Sequence, residues 1–196
     1  LYTGGKAGLH LLSCAREAGC RFVDYFHREE LNILNAVPTA EGAVAIAMEE
    51  LPITLSGARC LILGFGRIGK LLAHRLQGLG ACVTCAARRS GDLAWIEAFG
   101  YQPLPMEQRE QRLGEFDVIF NTAPALLLPR QLLSKTKPEV LLIDLASKPG
   151  GIDFTAAKEL GRNAVWALSL PGKVAPLTAG TIIKDTVLHL LQEEAN

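Results

Sequence analysis

A chain of 196 residues with 49% hydrophobic and 20% charged side chains can bury one sizeable core, or one domain and part of another, and is not a disordered segment. Its 20 basic and 20 acidic residues cancel, which leaves no electrostatic footprint for nucleic acid and no basic amphipathic stretch for a membrane surface. The sequence predicts no membrane span and no secretory leader, and five cysteines without regular spacing fit a reducing cytoplasm.

The chain starts at Leu1 rather than Met, in what reads as a strand end, so a fragment is expected. Residues 1–36 look like the tail of an α/β unit. A strand end and turn occupy 1–5, a helix 6–18 closed by Gly19, and short strands 21–26 and 31–36, about the charged turn at 27–30. Pro38-Thr39-Ala40-Glu41 marks a helix start, with Val44, Ala47, Met48 and Leu51 as the buried stripe and Pro52 as the stop. That helix is either a spine between two domains or the first core helix of the second.

From residue 58 strands and helices alternate regularly, the pattern of a parallel sheet covered on both faces. Strands are expected at 59–63, 82–86, 101–103, 117–121, 140–145 and 164–167. Helices are expected at 68–79, 92–99, 107–113, 129–134 and 154–160, with Gly100, Gly114 and Gly161 at helix ends. Residues 177–192 form a long amphipathic helix carrying Ala179, Ile182, Ile183, Val187, Leu190 and Leu191. Cys82 and Cys85 spell C-x-x-C, but three residues apart on a strand they point to opposite faces; both are expected to be small core residues, and no metal-ligand spacing occurs.

The most informative stretch is Cys60-Leu61-Ile62-Leu63-Gly64-Phe65-Gly66-Arg67-Ile68-Gly69, a strand entering a G-x-G-x-x-G turn that opens a helix. Gly64 permits the tight turn, Gly66 lets a pyrophosphate approach the backbone, and Gly69 lets the helix pack on the sheet. Amides at the helix start, with Arg67 and Ile68, then face the phosphates. An ordinary α/β turn is the alternative. The fold class is therefore α/β, a doubly wound parallel sheet of the Rossmann type binding NAD(P), with the remnant of a second α/β domain. The expected division is 1–52 for that remnant and a linker helix, 53–176 for the nucleotide domain, and 177–196 for a helix packing back on the front domain.

After the second strand of this sheet, an NAD enzyme places Asp or Glu to accept the ribose 2′-hydroxyl. Here Arg88, Arg89 and Ser90 stand there, which suits the 2′-phosphate of NADP, although NAD and simple surface arginines stay open. Three further loops fall on the same edge: Asn121-Thr122-Ala123-Pro124, small enough for a ribose or nicotinamide; Asp144 to Gly151, with Ser147 and Lys148; and Leu170 to Gly180, with Pro171, Gly172 and Lys173, an anion receptor opening into the last helix. Each is also compatible with ordinary turn chemistry. None of the four histidines is placed as a general base.

The strings Asn35 to Gly42, Gly64 to Gly69, Asp144 to Phe154 and Leu170 to Gly180 together resemble the A chain of dipicolinate synthases, and the likeness runs over essentially the whole sequence. In that family an amino-terminal α/β domain of roughly one hundred residues comes first and is mostly absent here. The resemblance implies oxidation of a cyclic dihydro- or hydroxytetrahydro-dipicolinate to the aromatic diacid, in the cytoplasm of the mother cell of a sporulating bacterium. A pyridine nucleotide would accept the hydride. The implied partners are the synthase's second subunit, its flavoprotein-like B chain, and the small dicarboxylate substrate; a homo-oligomer is left open. On that reading Lys148 and Lys173 are candidate carboxylate partners, and Ser147 positions a ring substituent or the nicotinamide amide. Pro171 to Gly180 also resembles a segment of methylenetetrahydrofolate dehydrogenases, so another NADP-linked dehydrogenase (of that or the shikimate type) is a rival, as is a non-catalytic NADPH-binding scaffold.

Overall fold

The computed structural model of the chain describes residues 2–195, and Leu1 and Asn196, where the expected strand end and final domain boundary fall, lie outside the described residues. The chain divides into two compact units, Leu1–Pro38 with Pro171–Asn196, and Thr39–Leu170. In the first, β1 (Tyr2–Gly4), α1 (Leu9–Glu17) and β2 (Phe22–Asp24) form a small α/β element whose two strands pair in parallel. Asp24 fixes the exit from β2: its carboxylate accepts from the Ala7 and Phe26 amides, both at 2.8 Å, and so caps a 3-10 turn over Tyr25–His27. The turn leads into α2 (Glu29–Glu50).

Helix α2 corrects two expectations. Residues 31–36 are helical rather than a strand, and Pro38 lies inside the helix rather than starting it. Glu29 and Glu30 supply the acidic first turn that favours the helix start, and the Asn32 side chain donates to the Phe26 and Arg28 carbonyls at 2.8 and 2.9 Å. The buried stripe is also different. Ala40, Ala43 and Ala47 are fully buried in the core of the second unit, Val44 and Leu51 are half-buried, and Met48 is 55% exposed. Alanines let the helix backbone approach the core closely, which turns the larger side chains outward. By length and composition α2 is apolar enough to cross a membrane, contrary to the expectation of no such segment; its alanine face nevertheless lies in the protein core.

The second unit is built on β3 (Arg59–Leu63), α3 (Arg67–Gly78), β4 (Cys82–Ala87), α4 (Ser90–Ala98), β5 (Gln102–Pro105), β6 (Val118–Asn121), α5 (Arg130–Leu133), β7 (Leu141–Asp144), α6 (Phe154–Glu159) and β8 (Asn163–Trp166). All six strands are parallel in the order β5-β4-β3-β6-β7-β8. The chain winds outward from β3 to β5, then crosses back to β6, so the strand order reverses between β3 and β6. Ligands of open α/β sheets bind outside the carboxyl ends of the strands at such a reversal. Alternation along β3 feeds two cores: Cys60 and Ile62 pack with Leu72, Leu76 and the α2 alanines, while Leu61 and Leu63 pack with Leu113, Phe116 and Leu128 on the other face. The helix expected at 107–113 is instead two 3-10 turns, Met106–Gln111 and Leu113–Glu115, pinned by buried Met106 and Leu113. Cys85 is buried as expected, but Cys82 is exposed at the start of β4; burial pushes the Cys85 and Cys60 thiols up to about 12, which keeps both protonated. Among the described residues no group of three or more side chains is placed to hold a metal.

Residues 170–180, expected as a loop, form α7 (Leu170–Val174) and the start of α8 (Pro176–Ala195). Helix α8 belongs to the first unit and buries Ala179, Ile182, Thr186 and Leu190, whereas Leu191 is exposed. Arg28 fastens its end: the guanidinium donates to both Glu193 oxygens at 2.7 and 2.9 Å and to Glu30 at 2.6 Å.

Two outcomes follow from this packing. A Cβ on Gly69 would stand 2.3 Å from the Gly64 carbonyl oxygen, whereas one on Gly66 meets nothing within 4 Å. Gly69→Ala is therefore expected to destabilise the fold by about 1–3 kcal/mol, and Gly66→Ala to leave Tm nearly unchanged, in a thermal melt followed by circular dichroism. The Arg28 hydrogen bonds hold the Glu193 carboxyl below the ordinary carboxylate range. The unfolded chain then takes up that proton more readily than the folded one, so the contribution is full above the ordinary value and is lost as pH falls through the lowered one. Arg28→Met should lower Tm at pH 7 and by less at about pH 3, where the loss has begun below the ordinary value; an equal gap at both would show that Arg28 acts through packing.

Candidate functional site

Every element of the site grows from how β3 ends. Leu63 passes its carbonyl to Thr122, whose amide and hydroxyl both donate to it at 3.0 Å, and Gly64 donates to the Ala86 carbonyl at 2.9 Å. The turns after β3, β4 and β6 are thereby tied together. Gly64 has φ +104, and a Cβ there would meet the Thr122 hydroxyl at 2.6 Å, so this position takes only glycine comfortably. Gly66 is the N-cap of α3 and has open space where a side chain would be. Arg67 is exposed in the first turn, Ile68 is half-buried against the core, and Gly69 backs onto Gly64. The N-terminal turn of a twelve-residue helix thus begins beside the open space at Gly66, the arrangement that receives an anion.

Beside this turn lies a cavity of about 520 Å³, inside the range of about 300–1,000 Å³ usual for small-molecule sites. Gly64, Phe65 and Gly66 form one wall, Ala87, Arg88, Arg89 and Asp92 a second, and Met106, Ala123, Ala125 and Leu127 the remainder. The sequence-predicted residues Gly64, Gly66, Arg88, Arg89 and Ala123 are therefore brought together. Thr122 stands behind the turn and supports it. Pro124 and Ser90 adjoin lining residues without lining the cavity themselves. Asp92, Met106 and Leu127 carry no motif that would have signalled them. Asp92 pairs with Arg89 through two hydrogen bonds, Nε to Oδ2 at 2.7 Å and Nη2 to Oδ1 at 3.0 Å.

The loop after β7 differs from its expected reading as a set of free functional groups. Asp144 is fully buried and accepts from Asn121 Nδ2 at 2.7 Å, and from the amides of Ala146, Gly151 and Ile152 at 3.0, 2.7 and 3.2 Å. Its carboxylate holds the loop and is not available to a ligand. Trp166 donates from its indole to the Ala146 carbonyl at 3.1 Å and stacks on Phe154 at 5.3 Å. Ser147 and Lys148 remain exposed in a turn closed by the Gly150 amide on the Ser147 carbonyl at 2.9 Å. They sit at the same carboxyl edge of the sheet, beyond the cavity lining. Pro171 and Gly172 belong to the first unit, in helix α7 rather than a loop.

Residues 37–149 match the family model for the D-isomer specific 2-hydroxyacid dehydrogenase, NAD binding domain. The dipicolinate synthase A chain of Bacillus subtilis (strain 168) is 36% identical over 189 residues, which are 96% of this chain and 64% of that protein. The crystal structure of the corresponding dipicolinate synthase chain from Bacillus halodurans superposes with a TM-score of 0.92 at 38% identity, over 96% of this chain and 65% of that one. The crystal structure of the Bacillus subtilis A chain gives 0.93 at 36% identity, over 97% and 64%. The chain thus spans just under two thirds of the length of these relatives. With its parallel sheet, glycine turn and cavity at the point of strand reversal, it belongs to the family of D-isomer specific 2-hydroxyacid dehydrogenase NAD-binding domains, an oxidoreductase family using a nicotinamide nucleotide, and it is similar to the dipicolinate synthase A chain as its motifs predict.

Proposed function

We propose that the chain is part of a dipicolinate synthase and contributes to the NADP-linked oxidation of a dihydro- or hydroxytetrahydro-dipicolinate to dipicolinate. The observation that carries this reading is the similarity to the synthase's A chain over 96% of the sequence, joined to a cavity that has two arginines where an NAD enzyme has an acid. The residues fit a nucleotide: an open N-cap at Gly66, small residues at Ala87 and Ala123, and a cavity of about 520 Å³. When bound, the nucleotide supplies the hydride acceptor. The amides at Gly66, Arg67, Ile68 and Gly69 would neutralise the pyrophosphate, Arg88 and Ser90 would meet the 2′-phosphate, and Arg89 would stand beside it, paired with Asp92. Thr122, Ala123 and Pro124 would let a ribose or the nicotinamide approach, and Pro171 and Gly172 are assigned to the cofactor by resemblance.

Ser147 orients the substrate or the nicotinamide amide, and Lys148 pairs with a substrate carboxylate. A dihydro substrate would give up a hydride, which the nucleotide would accept, and a proton to solvent; a hydroxytetrahydro substrate would lose water as well, and aromatisation makes a strong general base unnecessary. The flavoprotein-like B chain of the synthase is the expected partner, and the mother-cell cytoplasm of a sporulating bacterium the expected place.

A paired titration of NADPH and NADH by fluorescence tests the cofactor. NADPH should bind more tightly, and Arg88→Ala should raise its Kd about tenfold while leaving NADH unchanged. Equal binding of both nucleotides would remove the 2′-phosphate assignment. Calorimetric titration with dipicolinate tests the substrate side: Lys148→Ala should weaken dipicolinate about tenfold and spare NADPH, and equal losses would show that Lys148 merely supports the fold.

A further inference from the structure

We propose that Asp92 sets the margin by which this site prefers the 2′-phosphorylated nucleotide, because it holds Arg89 away from the phosphate. The inference rests on the cofactor reading above and names the residue that limits it. β4 delivers two adjacent guanidiniums to the cavity, and they are not equivalent. Arg89 turns its fork onto Asp92, with Nε on one carboxylate oxygen at 2.7 Å and Nη2 on the other at 3.0 Å. That is the same edge a phosphate would use. The Arg88 side chain makes no ion pair or hydrogen bond among the described residues.

The partners also differ in freedom. The Asp92 side chain is 18% exposed and stands in the first turn of α4, where the helix dipole favours a negative charge; the Arg89 side chain is 82% exposed. Asp92 is the fixed member and Arg89 the movable arm. Arg88, Arg89 and Asp92 are the charged side chains lining the cavity among the described residues, so a 2′-phosphate meets one unpaired cation, one neutralised cation and one anion. It must either take Arg89 from a carboxylate already in place, or bind Arg88 alone with Asp92 close by. Both cost affinity for NADPH. Neither touches NADH, which has no phosphate there.

The test is a fluorescence titration of both nucleotides against the whole chain and three variants. In Asp92→Asn the Kd for NADPH should fall about five- to tenfold, with NADH held within about twofold. Arg89→Ala alone should change NADPH binding little, yet in the Asp92→Asn background it should abolish the gain, since the gain is the release of Arg89. A cooperative thermal melt checks that each variant is folded, and Asp92→Ser replaces Asp92→Asn should the latter fail it. An unchanged NADPH-to-NADH ratio, or equal tightening of both, overturns the role of Asp92 while leaving the cofactor reading in place. If neither nucleotide binds the folded wild-type chain, the cofactor reading falls and the inference falls with it.

Discussion

A carboxylate with no access to water has to be surrounded by donors, and Asp144 is the fully buried carboxylate of the second unit. Among the described residues it reaches that state with four donors and no cation: one side-chain amide from Asn121 and three backbone amides from the segment 146–152. Leaving even one such group unpaired costs about 1–3 kcal/mol, so the loop after β7 has little choice but to fold around this side chain. Asn121 adds the loop after β6, because its Nδ2 also donates to the Ala123 carbonyl at 3.0 Å. One buried side chain therefore shapes both the loop that brings Ala123 to the cavity and the turn that presents Ser147 and Lys148. Glycine at 151 belongs to the same constraint: a Cβ there would come within 2.3 Å of the Asn121 amide.

The glycine turn is the second fixed point, and it works through backbone alone. Gly69 lets α3 rest on the Gly64 carbonyl, and the α3 start then lies where the strand order reverses. No charged side chain is needed to make that surface attractive to an anion, since the amides and the helix dipole supply the field.

The sequence is most legible where a single local rule decides the outcome. Residues 59–63 pair apolar β-formers with a following Gly-x-Gly, and β3 runs over that span; the turn geometry at Gly64 and Gly69 follows from sterics that any α/β unit shares. It is least legible where tertiary context overrides a local signal. Pro38 reads as a helix start because proline favours the first turn, yet Glu29 and Glu30 had already begun the helix, and the interior position is tolerated. Leu170 to Gly180 carries two prolines and two glycines and reads as a loop, but the spacing of Ala179, Ile182, Thr186 and Leu190 lets the segment bury a helical face. Asp92 and Asn121 carry no motif at all. The role of Asn121 depends on which strands become neighbours, as in its register beside Asp144, and no spacing along the chain encodes that, whereas the Arg89–Asp92 pair is a local contact three residues apart.

The two ends of the site should also answer differently to their surroundings. The Arg89–Asp92 pair is open on one side, with the arginine 82% exposed, so salt screens it and its hold on the guanidinium is weak and adjustable. The Asp144 cluster has no solvent in contact with the carboxylate and is screened far less. Raising the ionic strength would therefore loosen the hold of Asp92 on Arg89 without disturbing the loops after β6 and β7. A substitution at Arg89 or Asp92 would stay local to the rim after β4, whereas one at Asn121 would reach Ala123, which lines the cavity.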